Sequence, residues 1–168
     1  SFVEEDDIMA ITESMVKSVF KDMLDVDLPA FPRMTYDEAM EKYGIDKPDL
    51  RFGMEFQDMA PVTQGVGFNV FDSAEAVLGI VVPGAAEYTR KQLDGLTDWV
   101  KRPQIGARGL VHCKCNADGS FKSSVDKFYD QDALAKWAAH TGAKPGDLML
   151  VLCGDLHATR KQLAELRL

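Results

Sequence analysis

The residues best equipped for chemistry are few, and the densest group is His112, Cys113 and Cys115 in the stretch ARGLVHCKC. Thiolate and imidazole are the ligands zinc prefers. The spacing works against a metal site. On a strand, Cys113 and Cys115 project from one face and His112 from the other, zinc knuckles generally use Cys-x-x-Cys, and the chain lacks the second ligand pair such a site needs. Buried thiols in a core strand are the expectation, and Cys153 in LMLVLCGD is read the same way. His140 falls near a helix C-terminus, where a protonated ring would meet the dipole favourably, and His157 opens the last helix, so neither requires a catalytic role. No nucleophile has an evident partner. Gly65-Val-Gly67 lacks the third glycine and the following helix of a phosphate-binding loop. No catalytic, cofactor-binding or metal-ligating residue is therefore assigned.

Cations are the other candidates. Arg90, Lys91, Lys101, Arg102 and Arg108 form the one noticeable basic concentration, on and just after a helix-like stretch. They are either a solvated helix face or a patch that meets an RNA backbone, where point charges suffice and sequence is not read. Lys47 and Arg51, with Asp46 and Asp49, occupy a charged loop carrying a proline, rigid enough to position side chains; ion pairing within the loop explains them equally well. The formal net charge of -8 restricts any RNA contact to a local one.

The elements that must position these groups are set by periodicity. Between Glu5 and Leu24 the residues Ile8, Ile11, Met15, Val16, Val19, Phe20 and Met23 recur at three- and four-residue steps, with acids in the first turn, which predicts an amphipathic helix. Pro29 and Pro32 break that period. A second helix comes next, with Thr35 and Glu38 as a capping box and Gly44 as the left-handed terminator. QDMAPVTQGVG reads as a loop, GFNVF and VLGIVVPG as short strands around a brief DSAEA turn or helix, and Tyr88 to Lys101 as a third long helix. ARGLVHCKC is a strand, Asn116-Ala-Asp-Gly119 a hairpin turn and FKSSV the returning strand. DALAKWAAHTG is a helix ended by Gly142, DLMLVLCGD a buried strand and HATRKQLAELRL a closing helix. The fold class expected is α+β, a small mixed or antiparallel sheet with helices layered on one face.

Composition bounds the class. The 168 residues are 46% hydrophobic and 27% charged, which predicts a folded globular protein of one domain plus an extension, with the division near Gln57. No run of about 18 apolar residues is present, and the acidic SFVEEDDIMA is unlike a secretory signal. An odd number of cysteines fits a reducing cytoplasm better than a disulfide framework. Ser1 in place of an initiator Met and the abrupt AELRL end suggest an internal piece of a longer chain.

FPRMTYDEAMEKYGIDKPDLRFGMEF, from Phe31 to Phe56, resembles the bacterial-type aspartyl-tRNA synthetases at the stretch linking their catalytic core to an inserted domain. Ile45 departs from the pattern, where a small polar residue is expected. SFVEEDDIM is similar to the segment just past the second class II motif of these enzymes. VVPGAAEYTRKQLDGLTDWVK, GARGLV, GDLMLVLCGD and LRL resemble the inserted GAD domain shared with the B subunit of tRNA-dependent amidotransferases. The resemblance implies residues 1–56 as the helical edge of a class II catalytic core and 57–168 as the insertion with a return helix. It also implies a cytoplasmic, homodimeric parent that activates aspartate with ATP and Mg2+ and charges tRNA(Asp). The three class II motifs have no counterpart here, so this chain alone is expected to be inactive and monomeric, with Lys47, Arg51, Arg90, Lys91, Lys101 and Arg102 as candidate tRNA contacts. An accessory domain of an amidotransferase B subunit and a free-standing interaction domain are the alternatives; the FPRM to DKPDLR stretch counts against both.

Overall fold

The computed structural model describes residues 2–168 and divides the chain into two compact units, one ending at Thr35 and the other beginning at Tyr36. The division expected near Gln57 does not coincide with this one. Residues 36–56 pack with the sheet unit because Phe56 joins its core and the helix Tyr36–Tyr43 lies against the last helix.

The first unit is α1 (Glu5–Leu24) and the segment after it. Glu5, Asp6 and Asp7 occupy the first turn, complementing the partial positive charge there, and the Asp7 carboxylate accepts from the Glu4 backbone N–H at 3.0 Å. Asp25, left-handed at φ 52°, ends the helix, its N–H donating to the Lys21 carbonyl. The following segment is tied to α1: the Phe31 N–H donates to Glu13 at 3.1 Å, and Arg33 pairs with Asp6 at 2.6 Å. No α1 residue is buried.

The second unit holds α2 (Tyr36–Tyr43), α3 (Ala60–Thr63), α4 (Asn69–Asp72), α5 (Arg90–Val100), α6 (Gln131–Thr141) and α7 (Leu156–Arg167). Its strands are β1 (Gln57–Asp58), β2 (Ala76–Val82), β3 (Val111–Cys115), β4 (Phe121–Ser123) and β5 (Leu148–Gly154). They form one antiparallel sheet in the order β1-β2-β5-β3-β4.

Helices cover both faces of this sheet, not one. Leu78, Ile80, Leu148, Leu150 and Leu152 meet α5 and α7 on one side; Val77, Met149, Val151, Cys113 and Cys115 meet the α3, α4 and α6 side. The nearly unbroken apolar runs AVLGIVV and LMLVLCG have the composition of strands buried on both faces, where alternation is lost. The second face is closed by Tyr129 and Trp137, with ring centroids 4.8 Å apart. Their polar ends are satisfied too: the Tyr129 hydroxyl donates to the Thr63 carbonyl at 2.6 Å and the Trp137 indole N–H to Val62 at 3.1 Å.

GFNVF is helical rather than a strand. Phe68 and Phe71, one helical turn apart, pack into the same cluster while Val70 stays exposed, and the Asp72 carboxylate holds the Gly65 and Gly67 N–H groups at 2.8 and 2.9 Å. QDMAPVTQGVG, read as a loop, supplies edge strand β1 and the short α3. The helix expected from Tyr88 begins at Arg90, where the Thr89 side chain accepts from Gln92 N. The other predicted helices and strands form where expected.

Candidate nucleic-acid interface

The loop carrying Lys47 and Arg51 is held from below by a residue that sequence inspection passed over. Arg167, at the end of α7 and only 4% exposed, donates to four backbone carbonyls: Met54 at 3.2 Å, Asp49 at 2.7 Å, Phe52 at 3.0 Å and Gly53 at 2.8 Å. Its guanidinium lies 4.7 Å from the Tyr43 ring centroid and 4.4 Å from that of Phe52. Burial lowers its pKa, opposed by Tyr43, Asp49 and Glu55. Five N–H donors in a planar fork suit this cradle of carbonyls, which a lysine could not reproduce. The cradle includes Met54, a non-glycine residue in the left-handed region at φ 62°, a conformation that persists only where the surroundings over-determine it. A signal existed: Arg167 falls four residues after buried Leu163, on the apolar stripe of α7.

Gly44 fastens the same region from the other side. A Cβ there would stand 2.4 Å from the Arg160 carbonyl oxygen and 2.8 Å from the Phe56 ring, and φ is +69°. Glycine thus ends α2 and lets it approach the α7 backbone. The Phe56 N–H donates to the Lys42 carbonyl at 2.8 Å, closing the loop.

On that loop Arg51 is not a free cation. Its Nε lies 3.0 Å from both Asp49 carboxylate oxygens and its Nη2 2.5 Å from one. Arg51 thereby lowers the Asp49 pKa to about 2. Lys47 is exposed and, among the described residues, makes no ion pair.

The basic concentration around α5 is not one patch. Arg90 and Lys91 begin an 11-residue helix and Lys101 and Arg102 come after its end, a separation of about 16 Å at 1.5 Å per residue. All four are exposed. Arg90 makes a loose 3.7 Å ion pair with Asp94, both side chains largely in solvent, a contact of little energetic weight. Arg108, also exposed, lines a cleft beside β5 instead.

The thiols take the places their spacing predicts. Cys113 and Cys115 are 0% and 2% exposed on the α6 side of the sheet, and burial raises their pKa to about 12 and about 11. His112 points to the opposite face, its pKa lowered first by burial and then by Lys114. Cys153 departs from expectation, being half-buried and lining the same cleft as Arg108. Among the described residues, no group of three or more His, Cys, Asp or Glu is arranged to hold a metal ion, and no helix is long and apolar enough to cross a membrane.

Comparison with known proteins places this geometry in a family. The model for class II tRNA synthetases (D, K and N) matches residues 1–160. The aspartate–tRNA ligase of Flavobacterium psychrophilum is 52% identical over 168 residues, that of Parabacteroides distasonis 55% over 170 residues and that of Bacteroides fragilis 54% over 170 residues. Each alignment covers 100% of this chain and 29% of the relative, so the chain spans less than a third of their length. The family model covers all but the last eight residues, and the chain belongs to the class II tRNA synthetases of the D, K and N group.

Proposed function

We propose that this chain is a non-catalytic segment of an aspartate–tRNA ligase. The full-length protein activates L-aspartate with ATP and Mg2+ and transfers the aspartyl group to the 3′ end of tRNA(Asp), in the cytoplasm and as a homodimer. The observation that carries this reading is 52–55% identity to aspartate–tRNA ligases along the whole chain. The family resemblance assigns ATP and Mg2+ to the remainder of the protein; here Arg51 is paired to Asp49, and the α5 cations stand at opposite helix ends. Residues 1–56 are read as the edge of the catalytic core and 57–168 as the inserted GAD-type domain, a reading supported by the sheet lying entirely within 57–154.

Within this segment Lys47, Arg90, Lys91, Lys101 and Arg102 remain the tRNA-contact candidates; their exposure supports the assignment. Arg51 is the weakest of the set because its charge is already compensated. Aspartate-dependent pyrophosphate exchange and tRNA(Asp) charging are expected from the full-length protein, and no exchange above a blank from the 168-residue chain. Exchange by the chain alone, or no charging by the whole protein, would overturn the proposal. Replacing Arg90 and Lys91 by Ala in the full-length enzyme should raise KM for tRNA by the equivalent of about 1 kcal/mol; unchanged kinetics would leave them as a solvated helix face.

A further inference from the structure

Most of the sheet is sandwiched, but one corner of it faces solvent. On the α5 side Leu78, Ile80, Leu148, Leu150 and Leu152 are buried, whereas the residues that continue this face across β3 and β4 are polar. Register puts them there: His112 stands opposite Leu150, and Lys114 lies between Leu148 on β5 and Lys122 on β4. Lys122 and Ser124 are exposed, and His112 and Lys114 are half-buried. The other face of β4 packs toward α6.

This corner concentrates positive charge. Lys114 and Lys122 are directly opposite on one face of an antiparallel pair, which places their Cβ atoms about 5 Å apart, and like charges so placed destabilise a sheet. A bound anion removes that penalty. The Lys114 ammonium donates to the Tyr88 carbonyl, which sets it beside the start of α5, where Thr89 caps the helix and Arg90 and Lys91 follow. The first turn of a helix adds partial positive charge of its own. Glu87 and Asp94 are the acids next to these four cations, and Asp94 makes only its loose 3.7 Å pair with Arg90. Among the described residues, Lys91, Lys114 and Lys122 make no ion pair. A local excess of cations thus stands out from a chain whose formal net charge is -8.

A lysine on an edge strand also discourages the addition of a further strand. That task is already done at β4 by Gln131, whose side-chain amide occupies both the N–H and the carbonyl of Phe121 at 2.8 Å each. It leaves the Lys114–Lys122 pair without a structural reason.

We propose that the β3–β4 corner and the start of α5 form one phosphate-binding surface for the tRNA backbone, with Lys114 and Lys122 as contacts beside Arg90 and Lys91. The identity of the RNA rests on the tRNA-charging reading; the surface itself follows from the strand register. Tyr88 and Phe121, the neighbouring aromatics, pack against the two cores, so what the corner offers is charge to phosphates. Lys101 and Arg102, at the far end of α5, lie outside it.

The test is filter binding of tRNA(Asp) to the full-length protein across a salt series. Lys122→Glu, at an exposed position, should weaken binding about tenfold at low salt and reduce the slope of log affinity against log salt by about one. Lys114→Gln should weaken binding about threefold, with its thermal midpoint confirming a folded protein. Lys136→Glu, which makes the same charge change on exposed α6 across the sheet, should stay within about twofold of the parent. Binding by Lys122→Glu within about twofold of the parent would overturn the proposal. So would an equal loss in Lys136→Glu, which would reduce the effect to net charge. Aspartate-dependent pyrophosphate exchange by the parent protein keeps the two readings apart: without exchange the ligase reading fails, while the binding comparison still decides this one.

Discussion

α1 and α7 are both amphipathic by the same rule, and they end in opposite situations. α7 buries Leu163 and Ala164 against the sheet and closes the Arg167 cradle. α1 is longer, at 20 residues, yet Ile8, Ile11, Met15 and Val19 remain 57%, 67%, 60% and 53% exposed. A helical stripe records that a surface favours burial; whether this chain supplies the opposing surface is a tertiary fact. The second unit supplies one because two strands rich in Val, Leu and Ile put apolar side chains on both faces of the sheet.

The sharpest way to break this comparison is Trp137→Ala, which removes a fully buried indole and its bond to Val62. The expected loss is about 4 kcal/mol, read from the urea midpoint. A loss below about 1 kcal/mol would mean that the α6 side of the sheet is not the tight core described.

Arg167→Met comes next, because it leaves four carbonyls without their donor. About 3 kcal/mol should be lost, with faster proteolysis between residues 46 and 56 as the local signature. If that loop keeps its protection, Arg167 is not what holds it. Gly44→Ala should cost about 2 kcal/mol through its left-handed backbone and its contact with the Arg160 carbonyl; a neutral result in thermal melts would place α2 away from α7.

The thiols make a pH prediction of definite sign. The Cys113 pKa is raised from 9.0 to about 12 when folded, so the folded state binds more protons than the unfolded state across that interval. Its contribution to stability is complete below pH 9 and is lost as pH climbs toward about 12. Cys113→Ala should flatten this part of the stability profile in alkaline denaturant titrations, and an unchanged slope would contradict the assignment. The smallest effect belongs to α1: Ile11→Ala, at a 67% exposed position, should change stability by less than about 0.5 kcal/mol. A larger loss would show that its apolar stripe already packs on a partner.

The legible parts of the chain were those governed by local chemistry. α1 spans the periodic stretch from Glu5 to Leu24, Gly142 ends α6 with φ 71°, and Cys113 and Cys115 share the buried face that their i, i+2 spacing requires. GFNVF misled because five residues with apolar ends satisfy either period, and Phe68 with Phe71 resolves the choice only once the aromatic cluster exists. β1 is two residues long and owes its existence to pairing with Leu78 and Gly79. Among the candidate contacts, residue type was readable and grouping was not. Arg51 is compensated by Asp49, and the α5 cations separate to the two ends of their helix.

The sequence by itself determined the five longer helices, the two central strands, the turn glycines and the family, because each is written in periodicity, backbone preference or a specific string such as FPRMTYDEAMEKYGIDKPDLRFGMEF. Only the tertiary structure decided that helices cover both sheet faces, that Arg167 holds the 49–54 turn, and that Lys114 reaches the start of α5 from beside Lys122. Those facts join residues as far apart in the chain as Asp49 and Arg167. Local pattern carries no information about which distant backbone or side chain will stand opposite; packing of the sheet and its helices does.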